Sequence, residues 1–253
     1  MKKIIKFILI GIEVAVLFVV VGGMTSGITK TIYSDILIEQ FKSKATLNEE
    51  ASTDTVRIYT IPSDEERPVY QKYGMAYYPG NAGDIIITLR SELKIPLIQD
   101  IISFFAGGHA ALVLGDYEDY IDKTSSKNTV ESSGLNDDLN LADVFTMDYW
   151  REYEYPIIGL RVKMTEQERD KVVSRGLALE GDPYNYSFLF ETKNKSYCSD
   201  LVGKAFEGVG VNLNKDGFTT SVYDLLLSGE TYITYYRYFD AAGIEYVYFL
   251  ETK

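Results

Sequence analysis

The sequence predicts an α+β domain with strands first and a cysteine-bearing helix late, and three observations predict it. Short β-branched runs bounded by glycine recur between Gly83 and Val162. A helix-start signal follows at Thr165, with Glu168 three residues on as a capping box. A second helical pattern opens at Cys198 and stops near Gly208 and Gly210, before two aromatic strands close the sheet.

The first strand is Ile85-Ile86-Ile87-Thr88-Leu89, opened by the turn Gly83-Asp84. Gly107-Gly108-His109 leads into a second, Ala110 to Leu114, ended by Gly115. A third surrounds Thr129-Val130-Glu131, and a fourth is Ile157 to Val162. The capped helix runs through Ala178 with Val172, Val173 and Leu177 inward. Gly181 to Tyr186 is turn-rich. Tyr232 to Tyr238 and Tyr246 to Leu250 supply the closing strands. The expected product is an antiparallel sheet packed with helices over residues 76–253.

Two segments precede this domain. Lys2, Lys3 and Lys6 flank an apolar run from Phe7 to Met24, interrupted by Glu13. Its length approaches the roughly 30 Å hydrocarbon core of a bilayer, so residues 1–24 read as a membrane anchor or a signal peptide. Gly22, Gly23, Ser26 and Gly27 are the small residues near a cleavage point in the second case. Either way the positive flank stays inside. The remainder is expected outside, held by a single pass or released after cleavage. Residues 25–75 read as a stalk or linker with a short helix around Ile32 to Lys44. A short strand is expected from Val56 to Ile61, and a turn at Ser63 to Pro68.

Composition narrows the chemistry. The net charge is −12 with no basic stripe beyond the N-terminus, which argues against a nucleic-acid partner. One Cys and one His exclude an intrachain disulfide and the usual four-ligand zinc sites, and no cofactor is expected. Tyr is abundant at 21 against one Trp, so many rings are expected half-buried with wet hydroxyls.

Cys198 stands where a helix begins, and the positive end of the helix favours thiolate over thiol. A nearby imidazolium would reinforce that, and the Cys backbone N–H can face a developing oxyanion. Buried as a small hydrophobe, the same Cys would be inert. His109 begins a strand after two glycines, where its ring can face a cleft. A third group must accept from its second nitrogen; Glu131 on the next strand is the choice, with Asn128 the neighbouring amide alternative.

Gly83-Asp84-Ile85-Ile86-Ile87-Thr88, Gly108-His109-Ala110-Ala111-Leu112-Val113, Val130-Glu131, Gly181-Asp182-Pro183-Tyr184 and Tyr197-Cys198-Ser199-Asp200-Leu201-Val202 together resemble the YiiX-type branch of the NlpC superfamily. These are circularly permuted papain-like cysteine hydrolases, in which the His strand precedes the Cys helix. The resemblance covers roughly residues 77 to 230. It implies Cys198 as nucleophile, His109 as base, Glu131 as orienter and Tyr184 as a substrate-positioning cleft residue. Asp116 to Lys127 reads as an insertion between two of the matched strands. Asp84 only turns the chain, with no catalytic role.

The implied chemistry is acyl transfer through a thioester on an amide or ester. A peptidoglycan-type peptide amide is the favoured substrate for an exported, tethered enzyme. A lipid amide or ester, hydrolysed or transferred at the membrane, is the alternative; a non-catalytic surface binding module is the rival class.

Overall fold

The computed structural model of the protein describes residues 27–73, 76–90, 107–116, 128–134, 140–147, 150, 152–187, 193–214 and 219–253. The expected anchor over residues 1–24 lies outside them, as does most of the expected insertion. Among the described residues no helix is long and apolar enough to cross a membrane.

A nine-stranded sheet organises the chain in the order β1-β2-β11-β10-β9-β5-β6-β7-β8. Its strands are β1 (Thr46–Leu47), β2 (Val56–Glu65), β5 (Ile85–Thr88), β6 (His109–Val113), β7 (Thr129–Ser133), β8 (Leu141–Phe145), β9 (Ile157–Val162), β10 (Thr231–Phe239) and β11 (Glu245–Thr252). A separate two-stranded sheet joins β3 (Tyr70–Tyr73) to β4 (Ala76–Pro79). The four expected strands between Gly83 and Val162 all form, and so do the two closing aromatic ones.

The sheet is mixed rather than wholly antiparallel. β11 pairs β2 in parallel, Val247 beside Ile58, and every other pair is antiparallel. The segment read as a stalk gives two strands to the main sheet, because the edge of β11 offers an unpaired row of backbone groups that β2 completes. Ile58 and Ile61 of β2 are buried, and of the expected turn at Ser63 to Pro68 the first three residues, Ser63 to Glu65, are strand.

Helices cover one face. Residues 27–42 form α1, with Ile38 and Phe41 buried. α2 (Glu166–Ala178) carries the expected capping box: the Thr165 hydroxyl accepts from the Glu168 N–H, and the Glu168 carboxylate accepts from the Thr165 N–H. α3 is Cys198–Glu207 and α4 is Val222–Leu227.

Alternation divides the core between the two faces. Ile85, Ile87, Ala110, Leu112 and Val130 meet Val172 of α2 and Leu201, Val202, Ala205 and Phe206 of α3. Ile86, Ala111 and Val113 point the other way and pack with Met147, Trp150, Ile157 and Tyr235. A short strand can therefore be apolar at successive positions, since both faces are covered.

Candidate active site

The register of β6 and β7 places the first two residues of the site. Leu112 pairs Val130 and Val113 pairs Thr129. Continued one step, that register sets Glu131 opposite Ala111, on the face shared by His109 two residues away. Diagonal same-face neighbours of this kind lie within reach of long side chains. The His109 Nε2 and Glu131 Oε2 atoms are 2.6 Å apart. Gly108 matters for this placement: a Cβ there would stand 2.3 Å from the carbonyl oxygen of Arg90.

The thiol comes from the opposite layer. α3 begins at Cys198, and Tyr197 before it makes no side-chain cap, so the first N–H groups of the helix are not consumed by one. Leu201, Val202, Ala205 and Phe206 hold its inner face in the core. A hydrogen bond ties the two layers just beside the site. Ser132, next to Glu131, donates its hydroxyl to the Ser196 carbonyl at 2.6 Å, two residues before Cys198. The Cys198 thiol lies close enough to the His109 ring to hold the imidazole's protonation upward.

The structure therefore brings Cys198, His109 and Glu131 together. Asn128, the alternative partner for the ring, turns elsewhere: its Oδ1 accepts from the Met147 N–H at 3.2 Å. Tyr184 is buried close enough to Cys198 for a thiolate to act on its hydroxyl. Burial first, and that charge second, push its hydroxyl well above the usual tyrosine range. Gly134 makes room for it, since a Cβ there would stand 2.5 Å from the Tyr184 ring. Asp84 is more than a turn residue. It forms a buried two-pronged ion pair with Arg161, Nε to Oδ1 at 2.8 Å and Nη2 to Oδ2 at 2.7 Å, away from the thiol.

Electrostatics favour a charged imidazole. Burial alone pushes the His109 ring down, but the bonds and charges of Cys198 and Glu131 outweigh it, and the ring is held well above its ordinary value of about 6.5. The His109 side chain keeps 15% of its surface exposed against 4% for Glu131, so the ring is the more open of the two.

Two residues of the site were missed from the sequence. Trp150 is fully buried; its Nε1–H donates to Glu131 Oε1 at 2.7 Å, and its ring stacks on His109, centroids 5.6 Å apart and planes 9° from parallel. Thr129 donates its hydroxyl to the same Oε1 at 2.8 Å. The spacing Thr-x-Glu on a strand could have flagged Thr129 as a same-face neighbour. Nothing but its being the single Trp marked Trp150. Among the described residues no group of three or more His, Cys, Asp or Glu side chains could hold a metal ion.

The sequence pattern of the permuted papain-like amidases of the YaeF/YiiX type, the C92 peptidase family, matches residues 81–225. No curated protein matches the chain. Among solved structures, the metalloprotein yiiX from Escherichia coli O157:H7 is similar at 15% identity, covering 61% of this chain and 96% of that one with a TM-score of 0.46. The amidase pattern spans more than half of the 253 residues and takes in both the strand of His109 and the helix of Cys198. The chain belongs to the permuted papain-like amidase family of the YaeF/YiiX type.

Proposed function

We propose that the protein is an exported cysteine amidase that cleaves a peptide amide of the cell envelope, of the peptidoglycan type, through a thioester on Cys198. The observation that carries this reading is the His109 ring, bonded to the Glu131 carboxylate at 2.6 Å and close enough to the Cys198 thiol for the thiol to raise its protonation.

In this reading the proton of the thiol resides on His109, and Glu131 holds the resulting imidazolium in place. Cys198 Sγ attacks the carbonyl carbon, and the carbonyl electrons move to oxygen. The Cys198 backbone N–H, at the start of α3, faces that oxyanion. Collapse expels the amine as His109 gives its proton to the leaving nitrogen. Water then adds to the thioester with His109 as base, the thiolate leaves, and the carboxylic acid is released. Tyr184, buried beside the thiol, positions the acyl group.

Export and tethering are part of the proposal. The apolar run from Phe7 to Met24 follows three lysines, and α1 just downstream leaves Ile28, Ile32, Tyr33 and Ile36 exposed. An apolar stripe in that position suits a helix lying close to a membrane surface. Fractionation of cells carrying the full chain tests this, and recovery in the cytoplasm would contradict it.

The chemistry is tested by incubating the native protein and Cys198→Ala with purified muropeptides and with acyl amides, and detecting newly released amines by mass spectrometry. The native protein should release amine from muropeptides, and Cys198→Ala should stay at background while melting within a few degrees of it. Turnover by Cys198→Ala would end the nucleophile assignment. Muropeptides left intact beside cleaved acyl amides would move the substrate to the lipid class.

A further inference from the structure

We propose that Trp150 is a positioning residue for this site, holding Glu131 in the one orientation that faces His109 and covering the bond between them. The proposal rests on the reading of Cys198 and His109 given above, and it concerns how the carboxylate and the ring are kept in register.

A buried carboxylate has two oxygens and can rotate unless both are held. Here Oε1 accepts from the Trp150 Nε1–H at 2.7 Å and from the Thr129 hydroxyl at 2.8 Å, which leaves Oε2 for His109 Nε2. The indole N–H suits this place because it donates and cannot accept, so it never competes for the imidazolium proton. Its plane lies 9° from that of the imidazole, so the same side chain that anchors the carboxylate also covers the ring. An aromatic face favours a cation over a neutral ring.

Core filling alone does not account for this residue. Trp150 packs with Ala111, Val113 and Ile157, a contact that Phe or Leu would satisfy. The placement of its single polar atom on a carboxylate that is itself 4% exposed is what an apolar filler does not require. Among the described residues, the charged or titratable groups that act on His109 are Cys198 from α3 and Glu131 from β7, and Tyr184 stands near Cys198. Any change in the ring after substitution of Trp150 is therefore transmitted through Glu131 or through the lost stack.

The chain holds one Cys, one His and one Trp, so each reports without ambiguity. The full-length protein is compared with Trp150→Phe, which keeps an aromatic plate and removes the N–H, and with Thr129→Val, which removes the other donor. The readouts are the midpoint of the His109 Cε1–H chemical shift against pH and the rate at which iodoacetamide alkylates Cys198 at pH 7. In Trp150→Phe the midpoint should fall toward the ordinary histidine value of about 6.5, and alkylation should slow by roughly tenfold, the worth of a hydrogen bond to a charged group. Thr129→Val should move both readouts the same way and by less.

A folded Trp150→Phe with the midpoint unmoved and alkylation within twofold of native would overturn the proposal. If Trp150→Phe does not fold, Thr129→Val decides, and an unmoved midpoint there overturns it equally. Neither readout requires turnover. An active Cys198→Ala would thus end the catalytic reading while leaving the positioning role to be judged on the His109 midpoint.

Discussion

At one end of β5, Asp84 meets Arg161; at the other, Thr88 pairs with His109, whose ring meets Glu131 and Cys198. Both clusters bury charge at the rim of the same four-residue strand, and they differ in what is left over. Arg161 bonds both oxygens of Asp84, Glu65 at 2.9 Å, and the carbonyls of Arg67 and Pro68. Glu65 in turn accepts from the Tyr232 hydroxyl at 2.7 Å, so the network joins β2, β9 and β10 to the turn that opens β5. Burial lowers the Arg161 guanidinium, and its bonds to Asp84 and Glu65 more than reverse that. In the other cluster the carboxylate is equally saturated, but the ring it holds also stands near a thiol at a helix start. Saturation on every side makes a brace, and saturation on all sides but one leaves a group that can move a proton.

The largest effect that separates the two is on stability. Arg161→Met should cost about 3–5 kcal/mol, because Asp84 and Glu65 are left buried without their cation. Denaturant unfolding measures this, and the folded fraction should keep its thiol reactivity. A loss below about 1 kcal/mol would mean that water replaces the guanidinium, and the brace would not be one.

Glu131→Gln should act the other way, on the ring more than on the fold. The His109 value is raised above that of the unfolded chain, so the stability from its pairing is fully present below about pH 6.5 and is lost as pH rises through the raised value. Melting temperature followed from pH 6 upward should therefore fall in the native protein and fall less in Glu131→Gln. Parallel curves would show that the carboxylate does not hold the imidazolium.

The same contrast explains what could be read from the sequence. β5, β6, β9, α2 and α3 were legible because each carries its own local signal: β-branched runs, a capping box, a helical stripe. Cys198, His109, Glu131 and Tyr184 were singled out because a recognisable order of short motifs carried them. Their coming together follows from the register of β6 on β7 and the Ser132 to Ser196 tie. The brace was not legible, since Asp84 and Arg161 are 77 positions apart and neither sits in a pattern that names the other. Nor was the parallel seam of β2 on β11, because the short strand at Val56 to Ile61 carries no local sign of a partner nearly two hundred residues downstream. Trp150 escaped for a related reason: its meaning lies in where one N–H points, 19 residues from the carboxylate it holds.

The most direct test of the central claim is the iodoacetamide alkylation rate of the single thiol at pH 7 in the native protein and in His109→Ala. An ordinary thiol is only a few per cent thiolate at that pH, so an imidazolium partner should make the native protein react about 10- to 30-fold faster than the variant. Equal rates, with both proteins folded, would mean that His109 does not activate Cys198, and the assignment of this pair to the chemistry would fall.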